Sequence, residues 1–465
     1  MYGRVRKIHL VGIGGSGMSG IAEILLNRGF PVSGSDQKPG ETTRRLEALG
    51  AQVFEGHRAS NVEGADIVVL STAIRADNPE VVAARERGLI VIPRAEMLAE
   101  LMRMKYGISI AGTHGKTTTT SMVGLVLETG ALDPTVIVGG RLKVFGSHAR
   151  PGAGEFFVAE ADESDGTFLR LTSCISVITN IDAEHLDFWG DMDRYREAFV
   201  DFANKVPFFG LVVACIDHPE VQSILPRVTR RVRTYGFGAP ADIRAVDVRD
   251  EAFGSRYRLV VDGREVAEVK LSVPGRHNVQ NSLAAVAVGL ELGVPVAKIV
   301  RGLERFTGVH RRFEVRGEAR GVLVVDDYGH HPAEIRATLE TARRLCPDRR
   351  LVVCFQPHRY SRTKALYDQF MNAFNDADVV WVLDIYPAGE TATPGVNAEW
   401  LVKGLQARGV KRVQLGGTVK EASAALPSEL LEGDLFLTLG AGNVHQVGDE
   451  VLAALGAQAT GGTAG

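Results

Sequence analysis

Two glycine-rich segments of the 465-residue chain carry residue types that bind phosphates. The first, Gly12-Ile13-Gly14-Gly15-Ser16-Gly17, lies between an apolar run and a helical pattern, and Asp36 ends the next predicted strand. Glycines in such a G-x-G-x-x-G turn bring backbone N–H groups and a helix N-terminus against a diphosphate. The spacing is typical of dinucleotide sites, but the same turn can bind a nucleotide sugar or connect a strand to a helix without any ligand.

The second segment, Gly112-Thr113-His114-Gly115-Lys116-Thr117, follows a predicted strand and precedes a predicted helix over residues 117–128. It is similar to the phosphate-binding loop, in which backbone amides surround the β- and γ-phosphates. In that arrangement Lys116 is the point charge on the phosphates and the Thr117 hydroxyl binds Mg²⁺. The full pattern has glycine where this chain has Ile110, but the order of strand, loop and helix agrees.

Polar residues after two further strands can supply metal ligands. Glu160 ends an apolar strand and begins the segment Glu160-Ala161-Asp162-Glu163-Ser164-Asp165, and His185 lies in the loop after the strand near Val177. Carboxyl ends of parallel strands meet at one edge of a sheet, so both side chains can approach the phosphates. Imidazole and carboxylate together suit a divalent cation. A solvated acidic loop and a structural histidine are the alternatives.

Residues in the second half of the chain can bind other parts of a ligand. His277 and Asn281 precede a helix predicted to start at Ser282. They are four apart and would share a helical face that can hydrogen-bond a base edge, although the same types also cap helices. Arg312 belongs to a cationic pair, and Asp327 lies in Asp326-Asp327-Tyr328-Gly329-His330-His331-Pro332 after another strand. Zinc at these histidines is a weak alternative, because the proline starts a helix and no outer ligand follows at zinc-finger spacing.

The last candidate segment is Gln356-Pro357-His358-Arg359-Tyr360-Ser361-Arg362. It follows an apolar strand at residues 351–355, so its cationic side chains lie at the carboxyl end of that strand. A guanidinium group is a planar fork that binds a carboxylate through two hydrogen bonds. Arg359 and Arg362 lie three apart on a predicted helix start, so we expect them to converge on a carboxylate.

Alternating short strands and helical patterns must position these residues. Such alternation predicts parallel βαβ units, and therefore an α/β fold with domains at 1–105, 106–310 and 311–465. Asp262-Gly263 between two alternating runs predicts a hairpin within the second domain, and another hairpin is predicted over residues 313–325. The other predicted strands are 8–11, 32–35, 67–70, 89–92, 106–110, 351–355, 379–385 and 435–439, with three more near Phe156, Val177 and Val212.

Composition excludes several classes of protein. The 53 Lys+Arg and 56 Asp+Glu residues leave no basic excess for a nucleic acid, so we expect no nucleic-acid partner. No apolar run approaches the ~20 residues that cross a bilayer, and glycines interrupt the run behind the basic start, so we expect neither membrane insertion nor an export signal. The four cysteines form no C-x-x-C pair, which indicates buried thiols in the cytoplasm.

Taken together and in this order, these motifs resemble those of the Mur ligase family over essentially the whole chain. The resemblance implies a Rossmann-like first domain that binds a UDP-sugar and a central ATPase domain with a mostly parallel sheet plus a small antiparallel one. It also implies a Rossmann-like third domain that closes over ATP and binds the amino acid. Four segments are similar to those of the member that joins L-alanine to UDP-N-acetylmuramate: Gly12-Ile13-Gly14-Gly15-Ser16-Gly17-Met18-Ser19-Gly20, Ser71-Thr72-Ala73-Ile74, the Asp326 to Pro332 string and Gln356-Pro357-His358-Arg359-Tyr360.

The resemblance also implies a reaction in peptidoglycan precursor synthesis. ATP with Mg²⁺ converts the lactyl carboxylate into an acyl phosphate, which the alanine amine then attacks. The implied catalytic residues are Lys116, Glu160, His185 and Arg312, and the implied metal ligands are Thr117, Glu160 and His185. ATP contacts are implied for Gly112, Thr113, His114, Gly115, Lys116, Thr117, Thr118, His277, Asn281, Arg312 and Asp327. Substrate contacts are expected for Gly14, Gly15, Ser16, Gly17, Ser71, Tyr328, His358, Arg359 and Arg362.

The chain departs from several family members in one helix. Those members carry a carbamylated lysine after the metal-binding histidine, whereas Tyr195-Arg196-Glu197-Ala198-Phe199-Val200 has no lysine.

Among rival functions, a nicotinamide oxidoreductase explains the first glycine turn but not the phosphate loop, and a binding-only nucleotide sensor needs no acids around Lys116. Within the family, the alternative is the ligase that adds a murein tripeptide to the same UDP-sugar. We expect a monomer or a homodimer.

Overall fold

The computed structural model describes residues 5–71, 73–142, 147–251, 253–410 and 412–461. The chain divides into two compact units. The first runs to Arg249 and includes Arg256–Ser272 and His277–Val309, and the second consists of Asp250–Ser255, Val273–Arg276 and the chain from His310 onward. Across these described ranges, no helix combines the length and apolar character needed to span a membrane.

A five-stranded parallel sheet forms the first part of the chain. Its elements are β1 Ile8–Val11, α1 Ser16–Asn27, β2 Val32–Asp36, α2 Glu41–Ala48, β3 Gln52–Glu55, β4 Ile67–Leu70, α3 Pro79–Glu86, β5 Ile90–Pro93 and α4 Arg94–Met102. The strand order is β3-β2-β1-β4-β5, with β1 at the centre. β1 is fully buried, His9 included, as expected for a strand that is covered on both faces of a parallel sheet. The glycine turn therefore follows the central strand.

A ten-stranded sheet carries the phosphate loop. Its strands are β6 Tyr106–Ala111, β7 Thr135–Leu142, β8 Ser147–Arg150, β9 Phe156–Glu160, β10 Ile175–Ile178, β11 Leu211–Cys215, β12 Val232–Gly236, β13 Ile243–Glu251, β14 Gly254–Val261 and β15 Arg264–Leu271. The helices of this part are α5 Lys116–Thr129, α6 Leu186–Trp189, α7 Met192–Asn204, α8 Pro219–Ile224, α9 Arg276–Glu291 and α10 Val296–Glu304. β6 pairs in parallel with β9 on one side and β10 on the other. The loops after these three strands therefore meet at one edge of the sheet.

The predicted hairpin connects β14 and β15 through Asp262 and Gly263. Both turn residues have positive φ, +49° and +77°, as the tight two-residue turns of hairpins require. The strand order β15-β14-β13-β12-β11 makes the hairpin continuous with the large sheet. The small sheet that the sequence predicts is thus an extension of the parallel one.

A six-stranded sheet organises the chain from residue 310 onward. Its elements are β16 Glu314–Ala319, β17 Val322–Asp327, α11 Pro332–Leu345, β18 Leu351–Phe355, α12 Tyr360–Ala365, α13 Tyr367–Phe370, β19 Val379–Leu383, α14 Ala398–Ala407, β20 Val413–Gly417, α15 Val419–Glu429, β21 Leu435–Leu439 and α16 His445–Gly461. The order is β16-β17-β21-β18-β19-β20, and only the β16–β17 pair is antiparallel. The α/β fold class is confirmed.

The four cysteines are free thiols. Cys215 and Cys354 are buried, and burial raises the pKa of the Cys215 thiol to about 12. Cys174 and Cys346 are only partly buried. The expectation of buried thiols therefore holds for two of the four.

Tyr257 on β14 and Ser282 on α9 form a buried hydrogen bond that ties this helix to the sheet. The Ser282 hydroxyl donates to the Val279 carbonyl, so the Tyr257 hydroxyl donates to Ser282 Oγ at 2.7 Å. We expect Tyr257→Phe to lower the free energy of unfolding by about 1 kcal/mol, because it removes one buried hydrogen bond. Urea denaturation measures the change. Tyr106→Phe, at a half-exposed tyrosine, is the control, and equal effects of the two changes would contradict the prediction.

Candidate functional site

The phosphate loop surrounds a partly buried lysine. The loop runs from the end of β6 to α5, and its ends are Gly112 and Gly115, with φ of +131° and +81°. The Lys116 ammonium donates to the carbonyl oxygens of Gly112 and Thr113, at 2.7 and 3.2 Å, and to Glu163 Oε1 at 2.9 Å. The loop thus fixes one positive charge at the N-terminus of α5, where anions bind.

Gly112 and Gly115 cannot be replaced by larger residues without strain, because both have a positive φ and neither has room for a Cβ. A Cβ on Gly112 would lie 2.1 Å from Thr179 Oγ1, and one on Gly115 would lie 2.6 Å from Asn281 Oδ1. Asn281 is therefore packed against the phosphate loop. This contact supports a common site for the loop and the predicted base-binding face of α9.

Glu163 contacts Lys116, whereas the sequence singled out only Glu160 of the same acidic segment, as a metal ligand. Glu163 is fully buried, and its Oε2 has no hydrogen-bond partner in the described part of the chain. Burial raises the pKa of the Glu163 carboxyl to about 7, although the Lys116 ammonium acts to lower it. Burial acts to lower the pKa of Lys116. The negative charges of Glu163 and Asp162 outweigh this effect, so the lysine pKa is raised. The sequence indicated Glu163 only as a member of the acidic segment, and it did not show which of these acids contacts the lysine.

Glu160 and His185 lie at the same edge of the sheet. Glu160 ends β9, and its Oε1 accepts a hydrogen bond from the Gly139 N–H at 2.7 Å. His185 directly precedes α6 and has a φ of +58°, and its Nε2 lies 3.8 Å from Glu184 and 4.0 Å from Glu163. Among the described residues, no three His, Cys, Asp or Glu side chains form a cluster that could hold a metal ion by themselves. The metal role of Thr117, Glu160 and His185 stays a prediction.

A second set of polar residues holds the phosphate loop from the side of β10. Asn180 Oδ1 accepts from the His114 N–H at 2.7 Å, and Thr179 Oγ1 donates to the His114 carbonyl at 2.7 Å. Asp182 lies between the rings of His114 and His218, at 3.1 and 3.3 Å. Although burial acts to raise it, these two histidines hold the pKa of Asp182 well below its usual range. The predicted contacts Thr113 and Thr118 are both buried, so they face the protein interior.

The helix α9 begins earlier than predicted. The sequence placed its start at Ser282, but it starts at Arg276, so His277 and Asn281 lie one turn apart within it. Gln280 donates to Asp217 Oδ2 at 2.7 Å, and Asp217 also accepts from the Phe237 N–H at 2.7 Å. Sequence reasoning missed this bond, because the two residues are far apart in the chain.

In the first sheet, the Asp36 carboxylate accepts a hydrogen bond from the backbone of the glycine turn. Gly14 N–H donates to Asp36 Oδ2 at 3.0 Å, and Asp36 Oδ1 accepts from the Lys38 N–H at 3.3 Å. Both oxygens of the carboxylate that would bind the ribose in a dinucleotide site therefore have local partners. A Cβ on Gly17 would lie 2.7 Å from the Arg94 guanidinium, so this glycine leaves room for a cation.

One cavity of about 320 Å³ joins the glycine turn to the phosphate loop. Its lining combines residues from both sheets: Gly15, Gly17, Ser71, Arg94, Lys116, Gly139, Glu160 and Asp162. The predicted residues Gly14 and Gly15 belong to the turn itself. The side chain of Ser16, and all of Thr72, lie outside the described residues.

In the second unit, Arg312 and Asp327 have internal partners. Arg312 Nη1 lies 3.4 Å from Glu334 Oε1, and its guanidinium carbon is 5.2 Å from the centre of the Tyr328 ring. Asp327 accepts from the Phe313 and Gly329 N–H groups at 2.7 and 2.6 Å. Burial raises the pKa of Asp327 to about 6, although Arg312 acts to lower it. Their roles toward ATP stay predictions.

The predicted carboxylate site lies at the end of β18. Arg359 is the residue before α12 and has a φ of +70°, so it lies outside the helix on which the sequence placed it. Arg362 lies in α12, and its Nη1 is 3.0 Å from His358 Nδ1. Arg359 Nε is buried and has no hydrogen-bond partner in the described part of the chain. The His358 ring stacks on Tyr386 at 5.6 Å, and zinc coordination finds no support among the described residues.

Family comparisons cover nearly the whole chain. Residues 7–106 match the model of the Mur ligase family catalytic domain, residues 110–289 that of the Mur ligase middle domain, and residues 311–442 that of the Mur ligase glutamate ligase domain. The chain belongs to the Mur ligase family. The predicted number of three Mur ligase domains and the predicted resemblance to the family are confirmed, whereas the domain bounds stay predictions.

Several Mur ligases are similar to this chain over nearly their full length. The UDP-N-acetylmuramate–L-alanine ligase of Geobacter sp. (strain M21) is 55% identical over 452 residues, which are 97% of this chain and 98% of the relative. That of Syntrophobacter fumaroxidans is 55% identical over 466 residues, 100% and 99% of the two chains. The crystal structure of the UDP-N-acetylmuramate–alanine ligase from Thermotoga maritima matches with a TM-score of 0.82 and 31% identity. The match covers 98% of this chain and 99% of the other.

A murein peptide ligase from Psychrobacter arcticus shares the same fold. Its structure matches with a TM-score of 0.72 at 23% identity, over 97% of this chain and 99% of the other. At this identity the match supports the fold alone. The alternative of a tripeptide ligase thus gains no functional support from it.

The left-handed conformation of Gly115 allows a specific test of the loop. We expect Gly115→Ala to weaken ATP binding at least ~10-fold, because the new Cβ meets Asn281 and displaces the loop amides. Gly29→Ala is the matched control, since Gly29 has a similar φ of +77° but nothing within 4 Å of a Cβ. Both changes should lower the free energy of unfolding by about 1 kcal/mol. Isothermal titration calorimetry checks the affinity, and equal ATP affinity in the two variants would contradict the prediction.

Proposed function

We propose that this Mur ligase joins L-alanine to the lactyl carboxylate of UDP-N-acetylmuramate and converts ATP to ADP and phosphate. The observation that carries the proposal is the cavity shared by Gly15, Gly17, Lys116 and Glu160, since it brings a diphosphate-binding turn next to a triphosphate-binding loop. The relatives that are 55% identical over nearly their full length support the choice of L-alanine.

The proposed reaction has two steps. A carboxylate oxygen of the UDP-sugar attacks the γ-phosphorus of ATP, the bond to ADP breaks, and an acyl phosphate forms. The alanine amine then attacks the acyl carbon, a proton leaves the nitrogen, and phosphate departs. Both reactants of the first step are anions, so positive charge at the meeting point lowers the barrier. Lys116 supplies this charge at the phosphates, and Arg94, which lines the same cavity, adds a second cation.

The residues near Lys116 fit a divalent cation. Hydroxyl and carboxylate oxygens suit Mg²⁺, an imidazole is a common ligand of divalent cations, and the unpartnered Oε2 of Glu163 adds a further buried oxygen nearby. When bound to Thr117, Glu160 and His185, Mg²⁺ supplies charge that reduces the repulsion between the reacting anions. The absence of a lysine at residues 195–200 supports a site without a carbamylated lysine.

We propose the same three domains as the sequence indicates, 1–105, 106–310 and 311–465. The first holds the UDP-sugar, the second ATP, and the third, through Tyr328, His358, Arg359 and Arg362, the alanine. A cytoplasmic location and a monomeric or homodimeric state also stay predictions.

Product analysis tests this function directly. The protein is incubated with ATP, Mg²⁺, UDP-N-acetylmuramate and one amino acid at a time, or with a murein tripeptide. Mass spectrometry of the product and an assay of free phosphate follow. We expect a product that contains one alanine. A product formed only with the tripeptide would identify the alternative Mur ligase activity, and reduction of NAD or NADP would revive the oxidoreductase.

Removal of the Lys116 ammonium should abolish turnover. We expect Lys116→Ala to lower kcat for phosphate release by at least ~100-fold, the usual effect of losing one group that stabilises a transition state. Lys105→Ala is the control, because Lys105 is also partly buried but binds Thr135 and Gly152 away from the loop. Near-ultraviolet circular dichroism monitors the fold of both variants. Turnover of folded Lys116→Ala at the rate of the control would refute the proposed role.

Arg359→Lys tests the amino-acid site. The change keeps the charge but loses the planar fork, so we expect the KM for alanine to rise at least ~10-fold. The KM values for ATP and UDP-N-acetylmuramate should change less than twofold. Arg408→Lys, at an exposed arginine of the same unit, is the control. If Arg359→Lys instead weakens ATP and spares alanine, Arg359 belongs to the nucleotide site.

A further inference from the structure

The three protons of the Lys116 ammonium all have acceptors within the protein. An ammonium group has three donors and no acceptor. Two of these protons are donated to the carbonyl oxygens of Gly112 and Thr113, and the third to Glu163 Oε1. A phosphate oxygen can therefore accept a full hydrogen bond from Lys116 only if one of these three acceptors gives up its own.

Glu163 is the acceptor that can yield without a change in the loop. The two carbonyl acceptors belong to the loop backbone, where Gly112 has a φ of +131° and the Thr113 N–H donates to the Asn180 carbonyl at 3.2 Å. The Glu163 carboxylate is bound through Oε1 alone, because its Oε2 has no hydrogen-bond partner in the described part of the chain. An anionic phosphate also repels a carboxylate more strongly than a neutral carbonyl. A phosphate therefore competes with Glu163 for the lysine.

The two members of this ion pair lie at different depths. The Lys116 side chain is 18% exposed and lines the cavity of about 320 Å³ that reaches the glycine turn. The Glu163 side chain is only 1% exposed and lies outside the described lining of this cavity. The Trp189 indole N–H donates to the Glu163 carbonyl at 3.0 Å and holds its backbone in place. Glu163 therefore acts on a ligand in the cavity through the lysine.

The charges around Lys116 leave no positive excess for a triphosphate. Glu160 and Asp162 line the same cavity, and both carboxylates act to raise the pKa of Lys116. Arg94 is the second cation of the described lining. Two cations and three carboxylates therefore make up the charges of this lining and of the ion pair with Glu163. A bound metal ion is often the largest local charge in a phosphate site, so Mg²⁺ can reverse this balance.

We propose that Glu163 makes the phosphate loop selective for the metal complex of ATP, because it neutralises Lys116 toward a triphosphate that binds without Mg²⁺. When the nucleotide brings Mg²⁺, the added positive charge balances the carboxylate, and the ammonium can donate to the phosphates. Glu163 is a positioning residue, since it acts through Lys116. The inference rests on the proposed function, because it takes ATP as the ligand of the loop.

Glu163→Gln tests the proposal by calorimetry with ATP in EDTA and with ATP in Mg²⁺. The amide has the size of the carboxylate but no charge, so we expect metal-free ATP to bind at least ~10-fold more tightly to the variant than to the unchanged protein. The affinity for ATP with Mg²⁺ should change less than threefold. A purely structural role of Glu163 would instead weaken both. The titrations are run at about pH 8.5, where the Glu163 carboxyl, with a pKa of about 7, is ionised.

Two further variants and one further ligand are the controls. Glu163→Asp keeps the charge, so its affinity for metal-free ATP should stay within threefold of that of the unchanged protein. Glu291→Gln also removes one negative charge, but Glu291 pairs with Arg231 at 3.0 and 3.2 Å and lies about 15 Å along α9 from Asn281. Its affinity for metal-free ATP should stay within twofold. AMP lacks the β- and γ-phosphates, so Glu163→Gln should change its affinity less than twofold.

The outcomes separate this inference from the function on which it rests. If the unchanged protein does not bind ATP with Mg²⁺, the proposed function fails. If it binds metal-free ATP as tightly as ATP with Mg²⁺, the inference alone is overturned, and this comparison needs no variant. Unchanged or weaker binding of metal-free ATP to Glu163→Gln, shown to be folded by urea denaturation, would also overturn it, as would an equal gain in affinity for AMP.

Discussion

The ion pair between the partly buried Lys116 and the fully buried Glu163 explains the arrangement around the phosphate loop. The lysine charge is balanced by one carboxylate and by two carbonyl oxygens of the loop that precedes it. Burying two opposite charges contributes little net stability, and a pair of apolar side chains of similar volume would often stabilise a fold as well or better. The pair is therefore explained by phosphate chemistry, because a triphosphate requires a fixed positive charge at this helix terminus.

The order of the strands makes this pair possible. β6 lies between β9 and β10, so the loop with Lys116 is flanked by the segment with Glu163 on one side and by Asn180 on the other. Each neighbour contributes a different interaction: one supplies the counter-charge, and the other hydrogen-bonds the loop backbone at His114. The cavity that reaches to the glycine turn opens at this edge of the sheet.

Continuous apolar runs and glycine-rich turns predicted the central strands and the two phosphate-binding segments. The strands with the predicted bounds include β1, β4, β18 and β21, because a strand buried on both faces is mostly apolar. The edge strands β3 and β20 were not predicted, since Gln52 and Gln414 interrupt any apolar pattern and edges tolerate polar residues. α9 starts earlier than predicted, because polar residues that resemble a cap are part of the helix itself.

Individual partners within the site could not be read from the sequence. Glu163 is one of four acids within residues 160–165, and only the fold shows that it contacts the lysine. Asp36 matched a spacing associated with ribose binding, yet it hydrogen-bonds the glycine turn beside it. Both choices depend on side-chain directions that the packing of neighbouring strands determines.

The place of β6 between two later strands has a consequence for biosynthesis. In β6, Tyr106 pairs with Phe156 of β9 and Ile108 pairs with Ile175 of β10. Both partner strands are therefore synthesised after β6 and α5. A nascent chain that ends before β10 has neither the second edge of β6 nor the Asn180 amide that holds the loop. Long-range parallel pairing of this kind closes slowly, because the intervening chain must be ordered first. Until then the emerging polypeptide exposes an apolar strand, which is the kind of surface that chaperones shield.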